Sequence, residues 1–228
     1  MAHLWSSETG LYDLRIARAP AVRPNRPRLP PRDPPEEPDL ETRERILRTA
    51  YELFTQDGFI AVGVDRIVAE AGVAKTSLYR HFGSKDDLVV VVLERHEALW
   101  THGLLERESA RRASEPADRL VALVDVFHEW LRDDGYGGCL FINSALEVHD
   151  RSPAIQAASK AALERVYALL VELAQDAQLS EPRSFAHQLQ VVLRGSIVAA
   201  VEGNFAAVDE ARSLALQLID RRSGRATK

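Results

Sequence analysis

Two glycine-punctuated turns divide residues 42–88 into three short apolar-periodic segments, and this spacing restricts the region to three helices in a helix-turn-helix arrangement. The first segment, TRERILRTAYELFTQDGF, sets Ile46, Leu47, Ala50, Leu53 and Phe54 on one face, and Gly58 stands where a left-handed cap ends a helix near Asp57. The second, VDRIVAEAG, turns Ile67, Val68 and Ala71 inward, with Gly63 as N-cap and Gly72 as its stop. The third, KTSLYRHF, buries Leu78 and Phe82 and leaves Lys75, Thr76, Ser77, Tyr79, Arg80 and His81 pointing outward. A short helix so rich in donors suits the major groove of double-stranded DNA. Lys75, Tyr79 and His81 are placed to reach phosphates or base edges, and Thr76 and Ser77 offer hydroxyls near the groove floor. Lys85 at the next helix N-terminus favours a phosphate, and Arg43 near the start of the first helix is a backbone clamp.

A net charge of −5 looks unfavourable for such a partner, but its distribution matters more than its sum. No Asp or Glu lies between Ala71 and Ser84, a window that holds Lys75 and Arg80 and is followed at once by Lys85. The single cysteine, Cys139, excludes an internal disulfide framework and fits a reducing compartment. No apolar run has the length of a signal peptide or a membrane span, so a cytoplasmic location is expected.

Residues 1–38 hold eight of the eleven prolines together with Arg15, Arg18, Arg23, Arg26, Arg28 and Arg32. Such a segment is expected to be extended or disordered, either as a solvated linker or as a basic arm on DNA. The helix-turn-helix domain then covers 39–86, and 87–222 forms a second helical domain. At the junction of the two domains Ser84 and Asp87 are spaced for a capping box. The helix they start carries Leu88, Val89, Val92, Leu93, His96 and Trp100. Pro116, the glycines at 135, 137 and 138, and Pro153 mark further boundaries. Helices are predicted around Leu120–Leu131 and Cys139–Ile142, then over 153–177, 182–205 and 209–222. The expected class is all-α.

The string VDRIVAEAGVAKTSLYRHFGSKDDL, preceded by Gly58-Phe59, resembles the DNA-binding domain of the TetR family of bacterial transcriptional regulators. Two positions depart from that pattern. Val62 and Gly63 replace the usual hydroxyl residues ahead of the second helix, and Ala74 replaces the usual Ser at the recognition-helix cap. The motif GCLFINSALEVHDRSPAI is similar to the ligand domain of one TetR subgroup, which extends the likeness over most of 40–220. The resemblance implies an N-terminal helix-turn-helix domain plus a C-terminal helical ligand-binding and dimerisation domain. It also implies a homodimer on operator DNA and a small-molecule effector of unknown identity, with Trp100, Phe127, Trp130, Phe141 and Asn143 on the helices around its cavity. Small residues on the long helices, Ala157, Ala158, Ala161, Ala162, Gly195, Ser196, Ala199 and Ala200, suit close approach in a four-helix interface.

Other chemistries lack their patterns. His96-Glu97 has Trp at the position where a zinc protease needs its second histidine; convergence in space of His96, His102, His128 and His149 is the one route left to a metal site, and with no CxxC and no tight His pair no metal or cofactor is expected. The glycines at 135–138 precede no Gly-Lys-Ser/Thr, and no G-x-S-x-G elbow is present, so no catalytic residue is assigned. The expected function is a sequence-specific transcriptional regulator, a repressor released by its effector. The rivals are an all-α small-molecule-binding protein or enzyme, and a dimeric adaptor that has lost DNA binding.

Overall fold

The computed structural model describes residues 38–133, 137–148 and 151–223. The expectations for the Pro/Arg-rich segment up to Glu37, for Gly135 and for His149 therefore fall outside the described residues. Within them all regular structure is helical, and no strand occurs.

Helices α1 (Pro38–Asp57), α2 (Val64–Ala71) and α3 (Lys75–His81) form the head. Its core is the set that the periodicity selected: Ile46, Ala50, Phe54, Ile67 and Leu78 are buried, with Phe59, Val62 and Phe82 closing the ends. Val62, which departs from the family pattern, is a core residue here. Gly58 (φ +79°) and Gly72 (φ +63°) sit in the left-handed region after α1 and α2, as required for the chain to reverse. Gly63 and Ala74 occupy the N-cap positions without a side-chain cap bond. Ser84 does cap α4 (Lys85–Glu97), accepting the Asp87 N–H at 3.0 Å.

The rod that begins with α4 is not uniformly α-helical. Ala98–Glu106 adopts π geometry before α5 (Arg107–Arg112) resumes the ordinary spacing. A π segment widens the helix and is frequent at functional positions; this one contains Trp100 and ends at the cavity described below. Helix α6 (Pro116–Leu131) packs on α5, α8 and α10, α7 (Leu140–Val148) packs on α8 (Pro153–Asp176), and α8 packs on α4 and α9. Helix α9 (Pro182–Val201) is shorter than expected. Gly203 (φ +73°) breaks the chain, and Asn204 starts α10 (Phe205–Arg222) by accepting the Ala207 N–H, so two helices meet where one was predicted to run to 205.

Of the small residues selected on α8, Ala157 is exposed and Ala161 half-buried, while the other two serve the interior of the subunit. Ala162 is buried, Ala158 packs against the core, and on α9 Ser196, Ala199 and Ala200 are buried too. Of the large apolar side chains left exposed in the body, Val191, Val198, Val201, Phe205 and Leu214 lie on α9 and α10, and Leu146 stands alone on α7. Gly195, on the same side of α9, has open space where a Cβ would stand.

Candidate DNA interface and effector cavity

Helix α3 presents Lys75, Thr76, Tyr79 and Arg80 to solvent, while Ser77 and His81 are half-buried. Tyr79 is a large ring left 44% exposed on a seven-residue helix, a placement that packing within the head does not explain. His81 lies edge-on to Phe82, and the Arg43 guanidinium covers the other end of that ring at 5.0 Å. Arg43 is thereby fixed on α1 beside the end of the recognition helix. The window free of acids in sequence is not free of them in space. Asp65 on α2 accepts from the Lys75 ammonium at 2.7 Å and holds it above its usual pKa, and Asp57 and Glu70 flank Arg66. Exposed pairs of this kind contribute little, so they are weak competitors for a phosphate.

Lys85 is engaged elsewhere. Its ammonium donates to the Phe59 carbonyl at 2.5 Å, and burial pushes its pKa below the ordinary lysine range. From the other side Glu147 at the end of α7 accepts the Phe59 N–H at 2.7 Å and the Ile60 N–H at 3.1 Å. The turn between α1 and α2 is thus gripped by α4 and by α7. Gly58 is required there twice, for its positive φ and because a Cβ would fall 2.6 Å from the Glu147 carboxylate.

The second region is an apolar slot enclosed by the π segment, α6, α7, α8 and α9. Trp100, Phe127 and Phe141 form its aromatic wall, and Ile142 with Leu163 continues it. Trp130 stands behind Trp100 at 5.0 Å between ring centroids. Asn143 does not line the slot, since its amide donates to the Gly137 carbonyl at 3.2 Å. Gln190 and Arg194 on α9 supply the polar groups of the wall, and neither was selected from sequence because α9 shows one apolar period there. The Trp100 indole N–H is buried with no acceptor among the described residues. The slot measures about 30 Å³, whereas small-molecule sites run to roughly 300–1,000 Å³. It is too narrow for such a ligand as it stands, and one must displace side chains to enter.

The slot and the head share a buried junction. His96 stacks on Trp100, meets Phe141 edge-on at 4.9 Å, and is hydrogen-bonded through Nδ1 to the Tyr51 hydroxyl on α1 at 2.9 Å. Burial lowers the His96 pKa to about 3 and raises that of Tyr51 to about 12, so both rings are neutral at physiological pH. Glu97, the next residue, is buried and paired with Arg165 of α8. Cys139 lines the slot as a buried thiol with a raised pKa, unlike an exposed reactive cysteine. Among the described residues no three His, Cys, Asp or Glu side chains are grouped to hold a metal ion, and no helix is long and apolar enough to cross a membrane. His102 is paired with Glu106 and His128 with Asp209.

A three-helix head that exposes a short donor-rich helix, joined to a helical body with an apolar slot, defines a one-component DNA-binding regulator. Residues 46–92 match the family of bacterial regulatory proteins known as the tetR family, and 116–215 match the tetracyclin repressor-like C-terminal domain. The chain belongs to the TetR family and is a sequence-specific transcriptional regulator. It is 30% identical over 166 residues to the HTH-type transcriptional activator FasR of Mycolicibacterium smegmatis, covering 72% of this chain and 71% of that one. It is 31% identical over 131 residues to the HTH-type transcriptional repressor NemR of Escherichia coli, covering 57% and 65%. In structure it is similar to reduced NemR (TM-score 0.69, 28% identity, 78% of this chain and 97% of that one). A TetR-family regulator from Streptomyces coelicolor gives 0.72 at 25% identity, with 80% and 90% covered.

Proposed function

We propose that the protein is a homodimeric, cytoplasmic repressor that leaves its operator when a small molecule occupies the slot between Trp100 and Arg194. The observation that carries this reading is the double duty of α7. Its Phe141 and Ile142 wall the slot, and its Glu147 grips the turn that orients α2 and α3. A ligand too large for the narrow slot pushes on α7 and on the π segment. Because it binds only the displaced arrangement, it shifts the population toward that arrangement. Release rather than recruitment is the direction expected, since the arrangement with the narrow slot is the one in which the turn ahead of α2 is held by Glu147 and Lys85.

On DNA the exposed groups of α3, namely Lys75, Thr76, Tyr79 and Arg80, meet the major groove, with Ser77, His81 and Arg43 at its margin. One recognition helix covers only a few base pairs, so two half-sites and a two-fold axis are needed. The exposed valines of α9 and Leu214 of α10 are the surface that a second copy covers, forming a four-helix interface. An aliphatic and aromatic slot with a single arginine at its edge supports binding rather than catalysis.

The test is selection of genomic fragments bound by the full chain, followed by a reporter driven by the recovered operator. Retention of fragments sharing a two-fold sequence, with reporter output rising when the gene for this protein is deleted, supports the reading. Fragments with no common sequence would sink it.

A further inference from the structure

The apolar slot does not end at α9. Leu163, Gln190 and Arg194 line both the slot and an open vestibule of about 690 Å³ between α7, α8 and α9, whose rim adds Lys160, Glu164, Tyr167 and His187. The two spaces differ in character. The inner one is narrow, aliphatic and aromatic. The outer one is wide and carries two permanent cations, Lys160 and Arg194, against one acid, Glu164.

Neither cation is strongly committed. Lys160 meets Glu164 only at 3.7 Å, through an exposed i,i+4 pair. Arg194 is exposed between Val191 and Val198, at the α8-facing edge of the surface assigned above to a second copy, and has no ion pair or hydrogen bond among the described residues of its own chain, although its charge is felt by the Cys139 thiol in the slot wall. His187 is occupied by stacking on Tyr167 at 4.4 Å and leaves the rim to the two cations. An unpaired guanidinium at the mouth of an apolar slot is a half-built anion site, because its planar fork matches a carboxylate in two parallel hydrogen bonds.

We propose that the effector is an amphiphile of one kind, a slender alkyl chain ending in a carboxylate, with the chain in the slot and the carboxylate on Arg194 and Lys160. The proposal deepens the effector reading above and rests on it. A flexible chain enters a narrow slot by moving a few side chains, where a fused ring system would have to part the helices. The chain packs its methylenes against Trp100, Phe127 and Phe141 and so leaves water. The carboxylate sets the direction of entry, because a charge cannot pass into the aromatic wall unpaired. A neutral chain of equal length keeps the first contribution and loses the second.

The experiment titrates the full chain with dodecanoate and with dodecanol by calorimetry and tryptophan fluorescence, Trp100 and Trp130 lying at the slot. Dodecanoate is expected to bind about tenfold more tightly than dodecanol, the size of one charge-assisted hydrogen-bonded contact. In Arg194→Gln the preference disappears while dodecanol affinity is unchanged, and Lys160→Gln reduces the preference in part. Light scattering on each variant confirms that its assembly state matches the parent. Equal affinities for the two probes, or a preference that survives in the Arg194→Gln, Lys160→Gln double variant, would overturn the proposal. Operator affinity is measured in parallel. If dodecanoate binds as described without changing it, the ligand class stands and the release reading fails. If neither probe binds, the ligand class fails, and operator recognition is judged by the fragment selection alone.

Discussion

Glu147 Oε2 lies 2.7 Å from the amide nitrogen of Phe59, joining the last turn of α7 to the turn that precedes the helix-turn-helix across 88 positions of sequence. The same oxygen accepts the Ile60 N–H, and the Lys85 ammonium donates to the Phe59 carbonyl, so both polarities of this backbone turn are satisfied by side chains. Hydrogen bonds to a charged group contribute about 1.5–3 kcal/mol, and partial exposure puts this contact toward the lower end. Glu147→Ala is therefore expected to destabilise the fold by about 1–2 kcal/mol in denaturant unfolding. It should also speed hydrogen exchange at the Phe59 and Ile60 amides while leaving the α9 core unaffected. Unchanged exchange at those two amides would remove the clasp from the account.

Gly58→Ala tests the same contact from the other side. The added Cβ displaces the Glu147 carboxylate, and it also brings the cost of φ +79° in a residue that disfavours it. In a Glu147→Ala background only the backbone penalty remains. The two substitutions are thus expected to be less than additive, with a coupling of about 0.5–1.5 kcal/mol in a double-mutant cycle. Strict additivity would mean that a methyl group at position 58 and the Glu147 carboxylate do not compete for space.

On the recognition helix, Lys75→Ala is expected to weaken binding to all DNA sequences by a similar factor. The slope of log affinity against log salt should fall by about 1 per monomer, as for loss of one phosphate contact. Tyr79→Ala should instead lower affinity for the operator more than for random DNA. Lys85→Ala lowers stability as well, because its ammonium holds the Phe59 carbonyl. A shift in its unfolding midpoint therefore separates it from a pure phosphate contact.

The interior of the head could be read from spacing alone, since Ile46, Ala50, Phe54, Ile67 and Leu78 recur at helical periods between glycines whose left-handed conformation is forced by chain reversal. Helix α6 could be read for the same reason, whereas for α7 only the apolar stretch around 139–142 was legible and its run to Val148 was not. What periodicity does not carry is pairing between distant polar side chains. Glu147 looks like an ordinary exposed acid at the end of an amphipathic helix, and Asp65 gives no sign that it neutralises Lys75 ten residues later. Arg194 reads as a break in an apolar run, although it is the group that joins slot to vestibule. The π segment is silent for another reason. Thr101, His102 and Gly103 weaken an α-helix without marking its width, and the contacts Trp100 makes with His96, Phe127 and Phe141 join residues too far apart in sequence for periodicity to show.

His96 makes folding sensitive to acid. Its pKa is lowered from 6.5 to about 3 by burial, so the native state stays unprotonated over a range in which the unfolded chain takes up a proton. The unfolded state then binds more protons, and stability falls as pH drops below about 6.5, by roughly 1.4 kcal/mol at one unit below that value. The loss continues until the native imidazole itself titrates near pH 3. His96→Gln is expected to lower stability at neutral pH and to flatten this part of the stability curve. A parent and variant with parallel curves between about pH 4.5 and 6.5 would place the acid sensitivity elsewhere.

Trp100 is the residue through which slot and head are most directly joined. It is buried against Phe127, Trp130 and Phe141 on the slot side and stacks on His96, which is bonded to Tyr51 of α1. Truncation to alanine removes this packing at a cost of about 3–5 kcal/mol, which confounds any functional readout with unfolding. Phenylalanine keeps the aromatic wall and removes the indole N–H, which has no acceptor among the described residues of the narrow slot. Trp100→Phe is therefore expected to leave dimer mass and ligand-free operator affinity within about twofold of the parent, while shrinking the fold-change in affinity produced by a bound ligand. The measurement is operator affinity with and without a saturating ligand, in parent and variant. If both give the same fold-change, the signal does not pass through Trp100, and the Glu147 clasp remains as the path by which displacement of α7 reaches the recognition helix.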